Sequence, residues 1–303
     1  MIRFDREFHQ SDFEKFKLCP RMLYYVAVLG IEAEKTSELA IAGSAIHETV
    51  LKAHSEKLWE EKTLFAFWQE DFERRVAAAI SANAEVTRET VDPEDYRQML
   101  RGYLTKPWNR EAEVLLAEKE FFFEVKPKSR VYQFAGRVDQ VMRVPREALV
   151  CDFPLFQDFP NPEITIHRDM KTGQRKGTTP FELMLNDQIS IYAYALKYGN
   201  FDLDQDGICE THLDLMPDFH ALYFLKDHIP YKRPPKDKSI RGPAMYFTRR
   251  PLERLRNIPR ELMPVCASIR RGDFPREGVA RGLCEKYCSV RHYCEADLLQ
   301  EVT

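Results

Sequence analysis

The feature that most constrains the fold is a change of hydrophobic period just after residue 110. Before it, apolar residues recur at helical spacing; after it come two strand-like runs, Val114 to Val125 and Val131 to Val144. Lys126-Pro-Lys-Ser-Arg130 lies between them and reads as a hairpin turn. Upstream, Ser11-Asp-Phe-Glu14 reads as a capping box. Phe13, Phe16, Leu18, Met22, Leu23 and Tyr24 follow it at helical spacing, with a break predicted at Cys19-Pro20. Further helices are predicted over 39–58, 63–84 and 93–104. Downstream, 145–163 carries four prolines and reads as an irregular insertion. Ile164 to Met170 is a strand, Pro180 to about Tyr198 a helix, and His220 to Leu225 a further strand. Residues 226–250 set eight Lys/Arg against two Asp and read as a basic loop; a helix over 251–271 and a Cys-rich tail follow. The expected architecture is an α/β core with a helical N-terminal addition. It is read as a single domain over 1–303: 1–110 mainly helical, 111–226 the α/β core, and 227–303 packing back on the N-terminus.

Composition narrows the function classes. With 303 residues, 44% apolar and 12% aromatic, the chain buries a real core and is not broadly disordered. The 45 basic and 48 acidic side chains leave a net charge of -3, which argues against a basic coat for duplex DNA but leaves room for a local cationic channel. No apolar run is long enough to span a bilayer, and Met1-Ile-Arg-Phe-Asp-Arg-Glu lacks a signal-peptide core, so a soluble, intracellular (cytoplasmic) protein with no membrane partner is expected. Of seven cysteines, three crowd into the last twenty residues, which suggests metal ligation more than packing.

The chemistry-bearing residues cluster on the predicted core. Asp139 lies in Gly136-Arg-Val-Asp139, and Asp169 and Lys171 stand two apart on a strand, so both leave one face. Two carboxylates and an ammonium at a sheet edge suit divalent-metal phosphoryl hydrolysis. Taken alone, Asp-x-Lys recurs by chance at 31% charged residues, and a solvated strand face explains it as well. His47 sits on an apolar helix, where a satisfied core histidine is the competing reading. Gln188 and Tyr192 stand four apart and share a helix face, which an amphipathic helix with a polar edge also explains.

Taken in order, Gly43-x-x-x-His47, Gly136-Arg-Val-Asp139, Asp169-Met-Lys171 and Gln188-x-x-x-Tyr192 resemble the RecB-like branch of the PD-(D/E)XK nucleases, from about residue 10 to the C-terminus. The resemblance implies a mixed central sheet flanked by helices. It implies that His47, Asp139 and Asp169 bind Mg or Mn, that Lys171 serves the attacking water, and that Gln188 and Tyr192 support substrate and site. The segment 145–163 separates Asp139 from Asp169 by more than the usual hairpin, and is expected to narrow or cover the site's mouth.

Cys19, before Pro20, and Cys284, Cys288 and Cys294, after Phe274-Pro275, look like the iron-staple subgroup, which includes AddB-type and CRISPR-associated RecB-like nucleases. That likeness implies a 4Fe–4S cluster; zinc is the alternative, with His292 in place of Cys19. The tail here reads Cys-x-x-x-Cys where the subgroup usually has Cys-x-x-Cys. Asp202-Leu-Asp-Gln-Asp-Gly207 matches half of a calcium loop, but Leu213 stands where the closing glutamate belongs, so a polar turn is expected. Neither a nucleotide phosphate loop nor a Ser-His-Asp elbow is present; Gly173-Gln-Arg-Lys-Gly177 lacks the lysine after its second glycine.

The expected function is therefore a metal-dependent DNA nuclease, an exonuclease on single strands or ends, in recombination, repair or CRISPR-type processing, with a separate helicase or DNA-processing complex as partner. The alternative is a DNA-binding or assembly protein that keeps the fold. Lys232, Arg233, Lys236, Lys238 and Arg241, beside Tyr231, are the expected phosphate contacts; a solvated loop without a ligand is the competing reading.

Overall fold

Proline and burial decide how the N-terminal helices are cut. Helix α1 (Gln10–Leu18) stops at Cys19, whose backbone is extended, and α2 (Pro20–Leu23) restarts with proline where its missing N–H is no loss. The break falls where the sequence puts it, but the cap does not. His9, not Ser11, is the N-cap, and Asp12 Oδ2 accepts from the His9 backbone N–H at 2.8 Å. Asp12 is buried against the Arg6 guanidinium, which fixes it in place for the capping bond. A computed structural model of the chain describes residues 4, 6–31, 35–81, 85–87, 91–127, 130–173, 180–229, 244–278, 282, 284, 288 and 290–302.

Strands β1 (Lys35–Ser37) and β2 (Glu85–Thr87) form a small parallel pair beside the main sheet. Between and after them run α3 (Glu38–Ser55), α4 (Glu61–Ser81), α5 (Pro93–Leu104) and the short α6 (Pro107–Arg110). Ser37 and Asp92 cap α3 and α5 by accepting from the N–H groups of Leu39 and Glu94. The long hairpin follows as β3 (Glu113–Val125) and β4 (Tyr132–Pro145), then α7 (Arg146–Val150) and β5 (Glu163–Lys171). The single helix expected from Pro180 is two, α8 (Pro180–Met184) and α9 (Asp187–Tyr198), because the Asn186 side chain accepts from the Ile189 N–H and starts a new helix. Strands β6 (Asn200–Phe201), β7 (Thr211–His212), β8 (Phe219–Phe224) and β9 (Met245–Thr248) precede α10 (Leu252–Arg271) and α11 (Arg291–Val302). The segment expected as a basic loop over 226–250 thus ends in a strand, since Met245 to Thr248 pair with β8.

Among the described residues seven strands make one mixed sheet in the order β7-β6-β3-β4-β5-β8-β9, with only β5 and β8 parallel. One core lies under α3, α4 and α5, the other under α1, α9 and α10. The insertion 145–163 belongs to the first core and not to the mouth of the site. Phe153 and Phe156 are buried and pack edge-to-face on Trp108, Phe219 and Phe247. Its apolar residues gain more by entering the core than by covering a polar cleft. Among the described residues no helix is long and apolar enough to cross a membrane.

A polar layer runs through the first core. Arg168, fully buried, donates to Gln140 Oε1 at 2.8 Å and to Asn109 and Tyr103, with its guanidinium over the Tyr103 and Tyr223 rings. Having accepted from Arg168, the Tyr103 hydroxyl offers its own proton to His54 Nε2 at 2.6 Å, so His54 is held neutral. Burial first, then the Arg168 charge, lower His54 to about 3. Across the sheet His167 and His220 share one proton between their Nδ1 atoms, 3.1 Å apart, and burial lowers both. A depressed native histidine binds its proton in the unfolded chain first, so its stabilisation is complete above about pH 6.5 and is lost as pH falls toward the native value. His54→Gln is expected to remove roughly 1 kcal/mol of the stability change between pH 7 and 5.5. Urea melts compared with wild type isolate this contribution, because Asp169 and His47 are raised and titrate with the opposite sign. Identical pH slopes for the two proteins would refute it.

Candidate active site

Two glycines bring the site's elements together. A Cβ on Gly43 would sit 2.6 Å from Thr172 Oγ1, so the bare backbone lets α3 pass against the end of β5. One turn later α3 delivers His47. A Cβ on Gly136 would meet the Phe121 ring at 2.7 Å; that ring lies across the strand pair and packs edge-on against Tyr192 of α9. We expect Gly43→Ala to lower cleavage roughly tenfold by pushing His47 away from β5, and Thr172→Ala to restore most of the loss. Additive effects of the two substitutions, read as kcat/KM, would exclude this contact as the cause.

Three candidate ligands converge where α3 approaches β3 and β4. His47 Nδ1 lies 3.7 Å from Glu118 Oε1 and 3.8 Å from Asp139 Oδ2, and all three residues offer atoms within 4.8 Å of one another. Glu118 stands on β3 with φ +49, a strained left-handed value for a non-glycine residue. Its neighbours Ala117 and Lys119 pair with Gln140 and Val138, so Glu118 faces Asp139. Burial would keep His47 neutral, but its hydrogen bond to Glu118 and the charges of Asp139, Glu118 and Asp169 raise its pKa. Arg137 Nε sits 3.0 Å from Glu118 Oε2, and Arg137 and Arg75 line the same cleft.

On β5, side-chain alternation sends Asp169 and Lys171 to one face, as the spacing predicts. Lys171 Nζ lies 2.6 Å from Asp169 Oδ2 and donates to Gln188 Oε1 at 3.1 Å; Gln188 Nε2 donates to the Tyr192 hydroxyl at 3.2 Å. Asp139 Oδ2 accepts from the Met170 N–H at 3.1 Å, which ties β4 to this strand. Burial first, and the Asp139 carboxylate against the pull of Lys171, push Asp169 up to about 7. Burial would strip the lysine's proton, but Asp169, and behind it Asp139 and Glu14, hold it on and raise its pKa. Tyr192 is raised as well, by burial and then Asp169, and stays a neutral hydroxyl.

The PD-(D/E)XK nuclease superfamily model matches residues 7–153 and 161–295. The chain belongs to the PD-(D/E)XK nuclease superfamily. No curated protein matches it in sequence. Eight solved chains match. One, titled "Crystal structure of SSO0001", is 16% identical over 94% of this chain and 96% of that chain, at a TM-score of 0.34. A likeness this loose adds nothing to the assignment.

Membership in the PD-(D/E)XK superfamily implies divalent metal, and the residues present fit it. His47, Glu118 and Asp139 supply one imidazole and two carboxylates, the hard donors that Mg or Mn takes. Burial first, and then the Asp139 carboxylate, raise Asp169, and a cation relieves the repulsion between the two acids. Asp169 lies outside the 4.8 Å group, engaged with Lys171. Glu118 was absent from the sequence-based set. Only cross-strand register exposes it.

The predicted cysteines also meet. Cys19, Cys284, Cys288 and Cys294 line one cavity of about 490 Å³. A Cβ on Gly278 would lie 3.3 Å from Cys19 Sγ and 3.4 Å from Cys284 Sγ. Burial first, and then the neighbouring thiols, raise Cys284 and Cys288, a crowding that a bound cation removes. Tyr25 donates to Asp297 and Arg21 lies 3.5 Å from it, so α11 is fastened to the N-terminal helices.

Two further expectations are located. Asp202, Asp204 and Asp206 converge, but Asp202 accepts from the N–H groups of Gln205 and Gly207 of its own turn, as a polar turn requires. Lys232, Arg233, Lys236, Lys238 and Arg241 lie outside the described residues.

Proposed function

We propose that this nuclease hydrolyses DNA phosphodiester bonds with Mg or Mn, as an exonuclease on single strands or ends, in recombination, repair or CRISPR-type processing. The observation that carries the reading is the His47, Glu118 and Asp139 group beside a Lys171 ammonium held by Asp169 and Gln188. A bound divalent ion supplies Lewis-acid polarisation of the phosphoryl group. Lys171, protonated and aimed by Gln188 and Tyr192, offers N–H donors to the attacking water and to the charge that grows on the phosphoryl oxygens. Because it is held charged, it acts as a donor and not as the base. With a divalent ion offsetting Glu48, Glu118 and Asp139, Arg75 and Arg137 in the same cleft support a polyanionic strand as substrate. A separate helicase or DNA-processing complex is the proposed source of any unwinding.

We further propose that Cys19, Cys284, Cys288 and Cys294 hold a 4Fe–4S cluster. Four soft thiolates complete such a site, and the cavity's place between chain ends suits a structural clamp. The test of the activity is incubation of anaerobically purified protein with end-labelled single- and double-stranded DNA, with Mn, Mg or chelator. Metal-dependent shortening from one end of the single strand is expected. Binding of both DNAs with no cleavage under any metal would favour a DNA-binding or assembly protein instead.

A further inference from the structure

We propose that the groove at the C-terminal end of α3 is a subsite for one unpaired nucleobase of the strand held in the catalytic cleft. The proposal rests on the nuclease reading above and adds to it a subsite that selects the unpaired strand by its base.

The groove has a volume of about 710 Å³, a size that admits a small ligand. It adjoins the metal-ligand cleft, because Leu51 lines both. His47 and Leu51 stand four apart on α3 and share a face, and His54 follows almost a turn later. At 1.5 Å per residue, His54 lies roughly 10 Å along the helix from His47, within reach of a nucleotide near the scissile phosphate. On the facing strand Ala117 lines the groove and Glu118 the cleft, so α3 and β3 wall both parts of one trough.

The chemistry of the lining selects a base over a phosphate. Trp59 is only partly buried, with the Arg110 guanidinium 5.9 Å from its ring centre and His54 edge-on at 5.1 Å. An indole backed by a guanidinium is a stacking platform for any base, since every base has a π-face. The hydrogen bond to Tyr103 keeps His54 an uncharged imidazole. Lys57 and Arg110 are balanced by Glu111 and Glu113, so the groove has no surplus positive charge to draw a phosphate. The cleft beside it sets Arg75 and Arg137 against Glu48, Glu118 and Asp139, so a divalent ion on the carboxylates is what turns it toward a phosphate. Phosphate is held in one part of the trough and base in the next. A paired base cannot enter, because its partner strand would have to follow it.

The chain supplies its own reporter. Of its three tryptophans, Trp68 and Trp108 are each 1% exposed, which leaves Trp59 as the one a bound base reaches. Titrating a short oligothymidylate into the wild-type protein in EDTA is expected to quench tryptophan emission, and Trp59→Phe is expected to lose the signal while binding nearly as well. Trp59→Ala should weaken single-strand binding about five- to tenfold, the lower range for one stacked base. An oligonucleotide of abasic sugars should bind wild type and Trp59→Ala alike. Wild-type protein that cleaves DNA while its emission ignores oligothymidylate, or a Trp59→Ala variant that binds like wild type, would overturn the subsite and leave the nuclease standing. Quenching without cleavage in Mn would keep the base subsite and remove the nuclease reading.

Discussion

Lys171→Ala is expected to cut DNA at least about a hundredfold more slowly than wild type while still binding divalent metal and DNA. An ammonium has donors and no lone pair, so it cannot be a metal ligand, and its loss spares the His47, Glu118 and Asp139 group. Its contribution belongs to the transition state, where charge builds on the phosphoryl oxygens, so kcat should fall far more than affinity. Glu118→Gln should behave differently. It removes a charged donor at the centre of the group, and metal affinity and activity should fall together. Isothermal titration with Mn beside single-turnover cleavage separates the two patterns. Near-normal cleavage by Lys171→Ala, with contaminating wild type excluded, would show that the assigned role is wrong.

A second large effect is expected at the other end of the molecule. Cys19→Ser should strip iron from anaerobically purified protein, bleach its broad visible absorption, and lower Tm by roughly ten degrees or more. Cys19 comes from the turn between α1 and α2, and Cys294 from α11, so a shared metal group closes a loop of almost the whole chain. Losing that link frees α11 to separate from the N-terminal helices. Cys151, which is exposed and does not line the cavity, supplies the control: Cys151→Ser should keep both iron and Tm. Stoichiometric zinc without iron in the wild-type protein would reject the cluster and keep a four-thiol metal site.

Much of the site was legible because local backbone periods report it. The two-residue period of a strand placed Asp169 and Lys171 on one face, and the helical i, i+4 relation placed Gln188 beside Tyr192. Both relations hold whatever the rest of the chain does. Glu118 shows where this stops. A hairpin that paired Val125 with Val131, the residues flanking the expected turn, would set Glu118 opposite Val138. The strands instead pair Val125 with Tyr132, and that shift of one residue brings Glu118 opposite Asp139. The turn and the bulge near Val114 set this register, and hydrophobic pattern alone did not reveal it. The positive φ of Glu118 was equally hidden, since no glycine or asparagine marks the position.

The sequence alone determined most of the local elements, the acid–lysine pair, the helix break at Cys19-Pro20 and the three crowded C-terminal cysteines as a metal-type set. Each follows from covalent geometry, capping or donor chemistry within a few residues. Tertiary structure decided the rest. It gathered Glu118 with His47 and Asp139, drew Cys19 to Cys284, buried the 145–163 insertion in the core, and opened the trough that ends at Trp59. Those outcomes depend on contacts between residues tens to hundreds of positions apart, where loop closure and close packing choose among registers that local preference leaves equal in energy.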